Sequence, residues 1–155
     1  IEEIDIKHSI DEVIDSLKHL GKKKNISIEC MCPSKPQYVL ADKKALERIL
    51  TNLIDNAFKY SEENSTITIN TKTKIKEENI IISVTDTGRG ISDEDKLLIF
   101  DRFFRTAEAR ASEKKGSGLG LAIVKNLVNS LNGDVGVKNA ANKGSKFWFT
   151  LPIGK

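Results

Sequence analysis

The chain has 155 residues, 39% hydrophobic and 30% charged, a balance that suits a single domain over residues 1–155 with a core of its own. Net charge is only +3, and the Lys22–Lys24 run lacks interleaved aromatics. It reads as a solvated helix end and gives no support to a nucleic-acid partner. No apolar stretch approaches the ~20 residues that cross a bilayer, and no charged start followed by an apolar run marks a signal peptide, so the domain is expected in the cytosol.

Residues 3–6 read as a short strand. Ser9 and Glu12 in "SIDE" then match a capping box, and Ile10, Val13, Ile14, Leu17 and Leu20 give the helix an apolar face that Gly21 ends. Strands are expected at about 26–32 and 37–41, separated by Pro33 and Pro36. Cys30 and Cys32 continue the alternation of Ile26 and Ile28 and read as small buried hydrophobes, since a metal site would need a second ligand pair. Asp42 caps a second helix through residue 60.

"STITINTKT" and "IIISVTD", joined by the charged "IKEEN", predict a hairpin over about 66–85. "SDEDKLLIF" opens a helix with Ser92 and Asp95 spaced as a capping box. Residues 101–117 have few aliphatics, end in "EKKGSG" and read as a mobile segment. "GLGLAIVKNLVNSL" predicts a helix over 118–131 with Gly133 as its C-terminal cap, and "DVGVKN" and "SKFWFTLP" close the chain as paired strands. This order predicts an α+β sandwich with helices on one face of a mostly antiparallel sheet.

Within the second helix, "TNLIDNAFKY" places Asn52, Asn56 and Lys59 on one narrow stripe at about 100° per residue, with Tyr60 beside it. An ordinary solvated face is one reading. Asn is a mediocre helix former, however, so two at i and i+4 ask for another reason. An Asn56 carbonyl oxygen suits a hard cation such as magnesium, which takes few protein ligands besides phosphates, and Lys59 one turn on suits the phosphates.

Two glycine clusters, "DTGRG" at 86–90 and "GSGLG" at 116–120, fall at strand or loop ends, and each alone fits a tight turn. The second also opens a helix, whose unpaired N–H groups favour an anion such as phosphate. It is not a dinucleotide fingerprint, because Leu121 stands where Gly or Ala is needed, and a Walker P-loop and the eukaryotic-type kinase set are both missing. Asp86, at the mouth of a strand pair, can accept from the exocyclic amine of adenine, where guanine has a carbonyl.

In this order the segments resemble the catalytic and ATP-binding domain of a bacterial sensor histidine kinase. "NLIDNAFKYS" is similar to the N box of that family, "DTGRGIS" to its first glycine box, "IFDRFFR" to its phenylalanine box, "GSGLGLAIV" to its second glycine box and "NKGSKFWFTLP" to its closing glycine-containing strand. "RFFR" has Phe104 where many relatives have Tyr. The fold implied is the Bergerat-type two-layer sandwich shared with gyrase, the mismatch-repair ATPases and a heat-shock chaperone.

The resemblance implies that Asn56 holds Mg2+, that Asn52 supports the metal or the phosphates, and that Lys59 contacts phosphate with Tyr60 next to the nucleotide. It implies that Asp86 binds the adenine amino group, helped through water by Ser145, while Gly88 and Gly90 shape the turn. Residues 101–117 become the lid, with Arg105 aimed at the γ-phosphate. Ile91, Phe100, Gly116, Ser117, Gly118, Leu119, Gly120 and Leu121 complete the expected ATP-binding set. Asn52, Asn56, Lys59 and Arg105 are the expected catalytic residues.

Hydrolytic members of the superfamily carry a Glu four residues before the magnesium Asn. An amide at Asn52 cannot take a proton from water at neutral pH, so ATP is expected to be kept for transfer to a histidine. His8 and His19 lack the acidic neighbour and the following Arg and Pro of the family's phosphoacceptor motif. The expected partners are therefore a histidine-bearing dimerisation domain missing from this chain and, downstream, a response regulator. The domain alone is expected to be a monomer and not competent for transfer. The whole protein is expected to be a homodimer, with this domain the cytoplasmic part of a membrane-anchored sensor kinase. A hydrolytic ATPase and a non-catalytic ATP-sensing or interaction module are the alternatives.

Overall fold

The computed structural model describes residues 1–88, 90–101, 120–140 and 143–154. Its main sheet has the strand order β2 (Ser27–Met31), β4 (Thr66–Lys74), β5 (Asn79–Thr85), β7 (Ser145–Pro152), β6 (Val135–Asn139), with β2 and β4 parallel and every other pair antiparallel. Strands β1 (Glu2–Asp5) and β3 (Tyr38–Ala41) form a separate antiparallel pair.

Alternation sets the register. Cys30, Ile69, Val84, Phe147 and Val137 stand side by side across all five strands, with Ile82 and Phe149 in the next row of the same face. A shift of one residue in any strand would turn its apolar set to solvent. Helices α1 (Ile6–Leu17), α2 (Lys43–Tyr60) and α4 (Gly120–Ser130) cover this face, with α2 touching the other two. Leu46, Ile49, Leu50, Leu53 and Ile54 of α2 are fully enclosed and join Ile67, Ile82 and Phe149 in one core. The expected sandwich is therefore the observed one. A short helix, α3 (Asp93–Leu98), follows β5.

The capping of α1 differs from expectation. Asp5 is the N-cap and accepts from Lys7 N at 3.1 Å and His8 N at 3.3 Å, while Ser9 is buried inside the helix. An Asp at the end of a strand takes the orphan donors as readily as Ser, so the helix starts four residues earlier, with Asp5 in place of Ser9 as its cap. It also stops earlier, at Leu17, passing into a 3-10 turn over Lys18–Gly21 that leaves Leu20 40% exposed. Asp42 and Ser92 cap α2 and α3 as expected, accepting from Ala45 N at 3.0 Å and Asp95 N at 3.1 Å. After α4, Gly133 N donates to Val128 O and Asn132 N to Asn129 O, the paired bonds of a Schellman ending. The left-handed residue there is Asn132, not Gly133.

The cysteines also differ. Cys30 and Cys32 are half-buried at the end of edge strand β2 and joined as a disulfide. Same-face residues two apart meet there because the strand stops at Met31 and the chain contracts, leaving the Cα atoms 5.7 Å apart.

Candidate functional site

The second half of α2 turns its polar stripe toward the start of α4. Asn52 is half-buried, and its Nδ2 donates to the carbonyl of Gly120 at 3.5 Å. Asn56, one turn on, is half-buried, and its side-chain amide has no hydrogen-bond partner among the described residues. Lys59 Nζ lies 3.2 Å from Asp55 Oδ2. Asp55 thus holds the ammonium on the helix surface, an i,i+4 relation legible in the sequence but not weighed there. Gly120 lies in open space at the first turn of α4, and Leu121 packs half-buried on the core.

β5 ends at Thr85 and delivers Asp86 into the interior, 3% exposed. Asp86 Oδ1 accepts from Gly88 N at 2.9 Å and from Ser145 N at 3.1 Å. Asp86 N donates in turn to Ser145 O at 2.9 Å. Oδ2 accepts no hydrogen bond among the described residues. Burial pushes the Asp86 carboxyl above its usual value, and the two backbone donors pull it only partly back.

Beside Asp86, Gly88 and Gly144 are required by contact. A Cβ on Gly88 would overlap the carbonyl oxygen of Tyr60, so the Asp86 turn sits directly against the end of α2. A Cβ on Gly144 would overlap the Asp86 carbonyl, and its φ of +98° is one that side chains avoid.

Several residues outside the expected set tie these pieces together. Thr87 N donates to Ser61 Oγ at 3.4 Å, and Glu62 N donates to Thr87 Oγ1 at 3.3 Å. Lys143 forms an ion pair with Glu62. Asn139, at the end of β6, accepts from Ile91 N at 3.0 Å and so holds the turn that contains Gly90. Phe100 packs edge-on against Phe147, ring centroids 6.3 Å apart. These links join residues 25 to 81 positions apart and carry no periodic signal in the sequence. Arg105, Gly116, Ser117, Gly118 and Leu119, with residues 102–117 of the expected mobile segment, lie outside the described residues.

A sheet with helices on one face, a buried carboxylate with one oxygen unpaired among the described residues, and an amide-bearing helix whose end abuts the turn after that carboxylate fit an ATP-binding sandwich domain. Residues 41–155 match the family described as "Histidine kinase-, DNA gyrase B-, and HSP90-like ATPase", and the chain belongs to it. It is 36% identical over 149 residues to the sensor histidine kinase WalK of Bacillus subtilis (strain 168), covering 96% of this chain but only 24% of that protein. The structure of the mycobacterial sensor histidine kinase MprB superposes with a TM-score of 0.83 at 29% identity, over 98% of this chain and 97% of the other. Full-length ShkA, solved in complex with AMPPNP, gives 0.85 at 30% identity, over 99% of this chain and 31% of the other.

The residues present fit ATP. Asp86 Oδ2 accepts no hydrogen bond among the described residues and so is left for a donor such as an exocyclic amine, and Gly88 and Gly144 bring backbone without side chains against Asp86. For magnesium, no cluster of three or more His, Cys, Asp or Glu side chains exists among the described residues. A cation here would be held by Asn56 and by the phosphates and water, a set in keeping with magnesium's preferences.

Proposed function

We propose that this domain binds Mg-ATP and transfers the γ-phosphoryl group to a histidine on a separate dimerisation domain of a two-component sensor kinase, within a protein longer than this chain. The observation that carries the reading is Asp86. Its Oδ1 accepts from Gly88 and Ser145, which leaves Oδ2 for one donor from a bound base, and adenine offers that donor. Asn56 would hold magnesium, which when bound neutralises phosphate charge. Asn52 braces the start of α4 through Gly120, and Lys59 reaches the phosphates by leaving Asp55. Arg105 and the segment over 116–119 are proposed to close over the γ-phosphate. In the transfer, the bond from the γ-phosphorus to its bridging oxygen breaks as the bond to the histidine nitrogen forms, and ADP leaves.

Asn52 also disfavours the hydrolytic alternative. Its amide donates to Gly120 O and has no basic electron pair with which to take a proton from water. The site thus supplies position and charge neutralisation, and the acceptor comes from elsewhere. We place the domain on the cytoplasmic side of a membrane-anchored kinase that is a homodimer, with a response regulator as the next acceptor.

Calorimetric titration with a non-hydrolysable ATP analogue, with and without magnesium and with the GTP analogue as control, tests the reading. Adenine-selective, magnesium-linked binding is expected. Equal affinity for the two bases would overturn the role of Asp86. A domain that binds ATP tightly but does not phosphorylate a supplied histidine domain would favour the sensing module.

A further inference from the structure

We propose that Lys24, which lies outside the nucleotide site, is a positioning residue for its phosphate end. The proposal rests on the reading of α2 as the phosphate- and magnesium-binding helix. The last carbonyls of any helix lack intrahelical donors and carry the negative end of its dipole. Ser61 N closes α2 on Ala57 O, after which the chain turns extended. The carbonyls of Lys59 and Ser61 then take the same ammonium, Lys24 Nζ, at 3.0 Å and 3.4 Å. Tyr60 lies between them, with its own carbonyl against Gly88.

The root of Lys24 is fixed as well. Its carbonyl accepts from Asn64 N at 2.8 Å, and Asn25 Nδ2 donates to Asn64 Oδ1 at 2.9 Å. The turn before it lies on the end of α2, since a Cβ on Gly21 would meet the Phe58 ring and the Ile26 carbonyl. Lys22 and Lys23 are exposed, whereas Lys24 is half-buried. The run expected to be a solvated helix end thus contains one lysine with a directed role.

Two carbonyls held by one cation fix the backbone of residues 59–61. That backbone carries the Lys59 side chain, the Tyr60 contact with Gly88 and the Ser61 hydroxyl that accepts from Thr87. Lys24 meets Lys59 at its backbone carbonyl and, among the described residues, bonds to none of the side chains assigned to the nucleotide. Its effect passes through the exit of α2 and is felt at the phosphates before the base.

The test compares Lys24→Met, Lys24→Arg and, as control, the exposed Lys23→Met, titrated well below their melting temperatures. The ligands are the ATP analogue with magnesium and adenosine alone. Lys24→Met is expected to weaken analogue binding about fivefold, to leave adenosine affinity within about twofold, and to speed amide exchange at Ser61 and Thr87 in the free domain. Lys24→Arg should restore analogue affinity, and Lys23→Met should change nothing. A lowered melting temperature with unchanged analogue affinity would overturn the proposal, as would equal losses for analogue and adenosine. Failure of the unmutated domain to bind the analogue overturns the functional reading and this proposal with it.

Discussion

Asp86 and Ser145 clasp each other in both directions: Ser145 N–H donates to Asp86 Oδ1 at 3.1 Å and Asp86 N–H donates to the Ser145 carbonyl at 2.9 Å. The pair joins the end of β5 to the start of β7, which are neighbours in the sheet. A carboxylate so placed is oriented before any ligand arrives. It is also a buried charge that nothing in the described structure neutralises, and its raised pKa reflects that cost.

Asp86→Asn should separate orientation from charge. Asn Oδ1 can keep both backbone donors, but the position of Oδ2 becomes an NH2 group that opposes the adenine amine. A hydrogen bond to a charged group is worth about 1.5–3 kcal/mol, so analogue affinity should fall at least about tenfold. Free-domain stability should move the other way. Because the folded-state pKa is raised, the native state binds more protons than the unfolded state once pH exceeds the ordinary Asp value of 3.8, and stability falls as pH rises through the folded value. The variant should therefore melt higher than the parent at neutral pH, and the gap should close as pH drops below 3.8. Thermal melts over that range, with calorimetry at neutral pH, check both halves. A lower melting temperature for the variant at pH 7 would contradict the assigned cost.

Much of this site is legible in the sequence, for identifiable reasons. The stripe of Asn52, Asn56 and Lys59 follows from helical periodicity, and Asp86 from the end of a strand pattern. Asp42 and Ser92 were readable as caps because each stands immediately before a periodic run. What was not legible is what joins distant segments. Nothing local couples Asn139 to Ile91 or Lys24 to the end of α2, since those bonds exist only once the sheet order is set. The expectation of Ser9 as the cap of α1, where the structure has Asp5, failed for a related reason. Both residues can cap, and the pairing of β1 with β3 decides where the strand ends.

Gly88→Ala should damage stability and binding together. The added methyl would overlap the Tyr60 carbonyl, so either the Asp86 turn or the exit of α2 must move. Overpacking of this kind costs about 1–3 kcal/mol. A drop in melting temperature and a weaker analogue affinity are expected in the same variant. Unchanged values of both would mean that the turn has room the structure does not give it.

Asn139→Ala should act more narrowly. It removes the acceptor for Ile91 N–H in a partly solvated place, a loss of about 0.5–1 kcal/mol. The turn around Gly90, whose φ is +83°, would lose its tie to β6. Analogue affinity should fall by about two- to fivefold, and Asn139→Asp, which keeps an acceptor, should restore it. An Asp variant no better than Ala would show that the tie is not what positions this turn.

Asn56→Ala tests the metal assignment without disturbing the fold. The Asn56 amide has no hydrogen-bond partner among the described residues, so truncating it leaves no described group unsatisfied. The helix itself should gain, because Ala is the better helix former by a few tenths of a kcal/mol, within the ~0.7 kcal/mol that spans ordinary residues. The melting temperature of the free domain should therefore hold or rise. Adenosine affinity should be unchanged, since Asp86 and the turn beside it are untouched. The difference in analogue affinity with and without magnesium should shrink toward none, because the expected protein ligand is gone and the described residues offer no carboxylate or imidazole cluster to replace it. Full magnesium linkage surviving in Asn56→Ala would move the cation away from α2 and onto groups beyond the stripe.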